Sequence, residues 1–155
     1  MNLTEVPEEI IFEDMHYLYL ESGGPFSESA RKLWTEFHSS HFAKLKSNPD
    51  NAVKNVCSLY KTKPDYLYRA GASVQSAPAT IPEGLLYEHF KGGKYACFLL
   101  TGSFEHLPKA CGRVFEIVKE TNLQLRDSFY IENYLNDPST TPVEKLQTQI
   151  LVPIL

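Results

Sequence analysis

Gly24-Pro25-Phe26, echoed 78 residues later by Gly102-Ser103-Phe104, decides how this chain is read. Each Gly-x-Phe follows a strand-like run and precedes a helix-like one. Upstream of the first, Ile10 to Leu20 sets Tyr17 and Tyr19 in alternation with Leu18 and Leu20, the period of a strand. Downstream, Ser27 is a capping residue, and Ala30, Leu33, Trp34, Phe37 and His41 recur at helical spacing over roughly residues 28–45. Around the second, Tyr95 to Leu100 reads as a strand. Leu107, Ala110, Cys111, Val114, Phe115 and Val118 then keep helical spacing, with Pro108 acceptable in a first turn. Phe37 and Phe115 match at the same offset.

The remaining segments complete the pattern. Val56 to Lys61 and Tyr66 to Val74 read as strands joined by the Thr62-Lys63-Pro64-Asp65 turn. Leu85 to Phe90, Ser128 to Leu135 and Gln147 to Ile154 read as strands, separated by Gly92-Gly93 and by the long Asn136 to Pro142 turn. Residues 75–83, small and proline-rich, form a linker near the midpoint. The order strand, Gly-x-Phe, helix, strand, turn, strand therefore occurs twice, and the offset is half of the 155 residues. The expectation is an α+β fold of duplicated βαββ units in pseudo-twofold arrangement. Its antiparallel sheet would carry two helices on one face with a ligand groove between them. The whole of 1–155 would be one domain, with repeat halves at about 1–74 and 84–155 and the linker at 75–83. One helix covers too little of a sheet for either half to be stable alone.

Composition narrows the function. Hydrophobic residues make up 43%, enough for a core, which excludes a disordered chain. The net charge of -4 leaves no basic excess to neutralise phosphates, so no direct nucleic-acid binding is expected. Charge instead favours a cation. Aromatic residues reach 12%, which suits a cleft lined by rings as well as a core. Cys57, Cys97 and Cys111 are odd in number and lack a CxxC, as reduced thiols in a cytosolic protein would be. Met1 to Glu5 lacks the basic and apolar regions of a signal peptide, and no apolar run is long enough for a membrane span. A cytoplasmic protein without membrane contact is expected, and, with so short a lead before the first strand, no helix-turn-helix is expected ahead of it. His38 and His41 at i, i+3 lack supporting carboxylates, so no metal and no cofactor is expected.

The segment Phe129 to Leu135 holds the candidate site. Alternation places Tyr130, Glu132 and Tyr134 on one face and Phe129, Ile131 and Leu135 on the other. Glu132 is then either part of a solvated stripe or a half-buried carboxylate. In the second case it takes up a proton or selects a cation, with tyrosine faces adding cation–π attraction.

These residues carry a family likeness. Ile131-Glu132-Asn133-Tyr134-Leu135-Asn136-Asp137-Pro138, followed by Leu146-Gln147-Thr148-Gln149-Ile150-Leu151-Val152-Pro153, resembles the C-terminal pattern of the GyrI-like small-molecule-binding domains. That pattern is Phe-Glu-x-Tyr-Leu, an Asp/Asn-Pro turn, then Thr-Glu-Ile-x-x-Pro. Leu86 to Ala96 is similar to the family's strand, Gly-Gly turn and Tyr-Ala strand. Gly23-Gly24-Pro25-Phe26 with Trp34 and Phe37 resembles its Gly-Pro-aromatic turn and Trp-bearing helix. The likeness covers nearly the whole chain. The family includes the bacterial DNA gyrase inhibitor protein and the effector-binding domains of MerR- and AraC-type multidrug-sensing activators. The resemblance implies a stand-alone binder of small hydrophobic, cationic molecules, for sensing or sequestration, with Glu132 as the central glutamate. Tyr130, Tyr134, Trp34, Tyr60 and Phe90 are its expected ligand contacts. Tyr17, Tyr19, Tyr66 and Tyr68 are further candidates whose faces depend on strand register.

Two alternatives accompany this reading. One is a protein-interaction role of the gyrase-inhibitor type, with gyrase or a regulator as partner. The other, implied by stand-alone members resembling hydrolases of cyclopropane toxins, uses Glu132 as a general base. The family's second acid is Gln149 here, so Glu21, Glu88 or Tyr134 would have to supply the proton.

Overall fold

The computed structural model describes residues 1–155. In chain order the strands are β1 (Asn2–Leu3), β2 (Glu8–Phe12), β3 (Met15–Gly23), β4 (Val53–Lys61), β5 (Leu67–Val74), β6 (Leu86–Phe90), β7 (Gly93–Thr101), β8 (Tyr130–Tyr134) and β9 (Gln147–Pro153). Helix α1 (Phe26–Phe37) follows β3 and continues through a π-helical turn at His38–Phe42 into α2 (Ala43–Lys46). Helix α3 (Leu107–Glu120) follows β7 after a 3-10 turn at Phe104–His106. The class is α+β with antiparallel sheet, as expected.

The echoed glycines have a backbone reason. Gly24 has φ +88° and Gly102 φ +125°, each where a strand turns into its helix. A side chain resists that conformation, so glycine recurs at both places. The repeat extends further than Gly-x-Phe. At the same offset of 78, β2 falls on β6 and β3 falls on β7, end to end. Each repeat is therefore ββαββ, one strand longer than the sequence pattern showed. The single strand expected at Ile10 to Leu20 is two, broken at Glu13-Asp14, where two consecutive acids interrupt the apolar alternation.

The chain forms two compact units, 13–92 and 1–12 with 93–155. In the first, the strand order is β4-β5-β3-β6. In the second, β7 pairs with β9 and β9 with β8, while β1 and β2 both pair with β7. The opening strand of each repeat thus sits in the other repeat's unit. The units do not divide at residues 75–83, which join β5 to β6 inside the first of them.

Each helix buries one face on the strands of its own unit. In the 13–92 unit the buried helix residues are Ser29, Leu33 and Phe37. In the other, Ala110, Val114, Ile117 and Val118 of α3 pack on Ala96, Phe98 and Leu100 of β7 and on Ile150, Val152 and Ile154 at and beyond β9. Each large apolar side chain buried there stabilises the unit by about 1.5–3 kcal/mol. No helix is long and apolar enough to cross a membrane.

Candidate functional site

Strand β8 pairs with β9 in the register Glu132↔Ile150 and Tyr134↔Thr148. Ile150 belongs to the core under α3, so Tyr130, Glu132 and Tyr134 share the α3 face. Ile131 and Asn133 point to the other face and are buried. The alternation read from sequence holds, and the carboxylate is half-buried rather than fully solvated.

Two neutral donors hold Glu132. The Tyr134 hydroxyl donates to Oε1 at 2.9 Å, and the Cys111 thiol of α3 donates to Oε2 at 3.3 Å. No lysine, arginine or histidine pairs with it. Burial pushes its carboxyl above the ordinary carboxylate range, and the bonds from Tyr134 and Cys111 oppose that rise only in part. Aromatic edges frame the position. Phe104 meets the Tyr134 ring at 5.4 Å between centroids, and Phe115 meets Tyr130 at 5.4 Å. Thr148, directly across from Tyr134, is fully buried, and its hydroxyl has no hydrogen-bond partner.

Gln149 is on the wrong face to act with Glu132. It pairs with Asn133, whose Nδ2 donates to Gln149 Oε1 at 3.0 Å. A carboxylate at position 149 would stand across the sheet from Glu132.

In the 13–92 unit, α1 builds a second aromatic group. Trp34 Nε1 donates to Ser58 Oγ at 3.1 Å and to the Tyr68 hydroxyl at 2.9 Å, and those two oxygens are 2.6 Å apart. Phe26 reaches Tyr60, Tyr66 and Tyr68 at 5.4, 5.2 and 5.8 Å. Trp34 and Tyr60 therefore belong to one cluster on the α1 face. Tyr68 is one of the candidates whose face the sequence left open, and Ser58 is a member that it did not single out. Their signal is the β4–β5 register Tyr60↔Tyr68 and Ser58↔Ala70, which alternation alone does not supply.

The other face of that sheet holds a charged group. Arg69 Nε donates to Glu21 Oε2 at 2.6 Å and Nη1 to Glu88 Oε1 at 3.2 Å, with the guanidinium 4.3 Å from the Tyr19 ring centroid. Tyr19 stacks on Tyr17 at 5.1 Å. Gly71 makes room for this arrangement, since a Cβ there would lie 2.8 Å from that of Tyr19. Phe90 pairs with Met15, so it shares this face and not that of Trp34 and Tyr60; it is 3% exposed. Glu21 and Glu88, the sequence candidates for a second acid, are both engaged by Arg69.

Comparison with known proteins adds the family. The model of the GyrI-like small molecule binding domain matches residues 6–155. The C-terminal domain of EcmrR is similar in structure, at a TM-score of 0.78 and 13% identity over 100% of this chain and 99% of that one. SAV2435, solved bound to tetraphenylphosphonium, has a TM-score of 0.77 at 15% identity over 96% of this chain and 93% of that one. A hydrolase from Listeria innocua has a TM-score of 0.58 at 14% identity over 97% and 92%. At such identities the likeness is one of fold. No curated protein sequence matches the chain.

Proposed function

Because the chain belongs to the GyrI-like small-molecule-binding family, we propose that its ligand is a small hydrophobic cation, sensed or sequestered, and that Glu132 is the countercharge. One observation carries this: a half-buried carboxylate held by a phenol and a thiol, with no cationic side chain beside it. Such a group is unfavourable when ionised alone and favourable beside a desolvated cation. The faces of Tyr130 and Tyr134 add cation–π attraction for a ligand that carries its charge in an apolar shell. The tetraphenylphosphonium held by SAV2435 is a cation of this class, which supports the choice of ligand.

Isothermal titration with tetraphenylphosphonium tests the reading. Two charges about 4 Å apart at a partly screened site attract by about 4 kcal/mol, much of it offset by desolvation, which leaves roughly a tenfold effect or more. Wild type should bind saturably, and Glu132→Gln should bind at least about tenfold more weakly. Equal affinities, or no binding of any lipophilic cation, would overturn it.

Hydrolysis is the weaker reading. Gln149 is across the sheet and both Glu21 and Glu88 bind Arg69, which leaves the Tyr134 hydroxyl, a far weaker acid than a carboxyl, to supply the proton beside Glu132.

A further inference from the structure

In the cation reading the thiol on Glu132 serves only as a neutral hydrogen-bond donor. Cys111 Sγ lies 3.3 Å from Oε2, and the opposite oxygen is fixed by the Tyr134 hydroxyl at 2.9 Å. Nucleophile, base and a third group that orients the base are thus in hydrogen-bond sequence. The thiol is half-buried on α3 and is in no disulfide. On the same face, the fully buried Thr148 hydroxyl lacks a partner.

We propose that Cys111 is a nucleophile that captures small apolar electrophiles of the α,β-unsaturated carbonyl class covalently, with Glu132 as its base and Tyr134 as the residue that positions that base. This rests on the reading of the Glu132 region as the ligand site. In the capture step the thiol proton passes to Glu132 Oε2 and the sulfur bonds to the β-carbon of the electrophile. The π electrons move to the carbonyl, forming an enolate, and the enolate carbon then takes the proton from Glu132. Nothing leaves, and no oxidant or second reactant is needed. Burial strengthens the carboxylate as a base, since it holds its proton more tightly than a solvated one.

The other two cysteines lack this arrangement and serve as internal controls. Cys57 is fully buried, which pushes its thiol far up. Cys97 lies between Ala96 and Phe98 of the α3 face and so points to the opposite face; burial, then the Glu8 charge, push its thiol up to about 11.

The test uses N-ethylmaleimide, itself an α,β-unsaturated carbonyl compound, with the rate at each cysteine read by peptide mass spectrometry. Cys111 should react at least about tenfold faster than Cys97, the lower range of general-base assistance being larger still. Glu132→Gln should slow Cys111 by about tenfold or more and leave Cys97 unchanged, with Tyr134→Phe in between. An unreactive Cys57 certifies that each variant is folded. If Glu132→Gln exposes Cys57, the wild-type comparison of Cys111 with Cys97 decides alone. Cys111 no faster than Cys97, or a folded Glu132→Gln variant with unchanged Cys111, would overturn the proposal. Tetraphenylphosphonium titration of wild type separates the two readings. Slow capture with intact cation binding removes only the nucleophile, and fast capture without cation binding removes only the countercharge.

Discussion

Replacing Tyr134 by Phe deletes the hydroxyl that donates to Glu132. The ring that meets Phe104 is retained, and only the hydroxyl 2.9 Å from Glu132 Oε1 is lost. A hydrogen bond to an ionised acceptor contributes about 1.5–3 kcal/mol, equivalent to roughly 10- to 150-fold in a binding constant. A protonated carboxyl accepts a weaker, neutral bond of about 0.5–1.5 kcal/mol, so the two forms differ by about 1–1.5 kcal/mol, roughly 5- to 10-fold. Where Glu132 is already ionised in the free protein, the bond exists before and after a cation arrives, and its effect cancels. Where Glu132 is protonated, the cation must displace the proton, and the missing hydroxyl weakens binding by the difference between the charged and the neutral bond. Burial holds the carboxyl high, so this protonated limb extends above the ordinary carboxylate range. On it, affinity for tetraphenylphosphonium should fall about tenfold per pH unit in both proteins, with Tyr134→Phe lower by about 5- to 10-fold. At higher pH the two curves should meet. Calorimetry from about pH 4 to about pH 9 spans both limbs, and the ligand's charge is fixed, so only the protein titrates. Repeating the titration in buffers of different ionisation enthalpy counts the proton released. Profiles that stay parallel over the whole range, or coincide throughout, would refute the reasoning.

Glu132→Gln should also change the pH dependence of stability. The native carboxyl holds its proton more tightly than the unfolded one, so its contribution is whole below the unfolded value and is lost as pH rises through the native midpoint. Urea unfolding should show wild type declining over that window relative to the variant, and parallel curves would contradict the raised native value. Tyr68→Phe removes the hydroxyl shared by Trp34 and Ser58 and should cost about 1–2 kcal/mol, or about 2–4 °C in Tm per kcal/mol for a chain of this size. Trp34 emission, from the only tryptophan, should shift with it; an unchanged melt and spectrum would show the bonds to be dispensable. Arg69→Met leaves Glu21 and Glu88 without their cation. The arginine side chain is 10% exposed but the glutamates 29% and 39%, so the loss should be about 1–3 kcal/mol, less than for a fully buried pair. Adding Glu21→Gln should recover part of it, and no change in the urea midpoint of the single variant would mean the group is effectively solvated.

What the sequence revealed follows from local rules. Period-two alternation placed Glu132 between Tyr130 and Tyr134 on one face, because the pleat fixes that relation within five residues. The Gly-x-Phe echo exposed the duplication, because a positive φ selects glycine at both turns. Strand partners are another matter. A run such as Leu86 to Phe90 declares itself extended, yet nothing local says that its neighbour is β3. The same blindness hid the Arg69 group, whose three charged residues come from three strands, and left Glu21 and Glu88 looking available. Cys111 was visible only as one apolar position in a helical stripe. Its approach to Glu132 depends on where α3 lies over β8, which neither element's own pattern encodes.

The crossed placement of the opening strands bears on how the protein is made at the ribosome. Residues 13–92 are contiguous, so every strand of that unit is available once Phe90 has left the exit tunnel. The other unit is split. Glu8–Phe12 emerges first but has no partner until Gly93–Thr101 follows, with an entire unit synthesised in between. During that interval β2 is an unpaired strand bearing Ile10, Ile11 and Phe12, the kind of edge on which chains aggregate. Glu8 and Glu9 put two negative charges at its start, and the next two residues, Glu13 and Asp14, add two more. Charges flanking an apolar strand oppose its pairing with like copies, and this strand has two on either side of its apolar run.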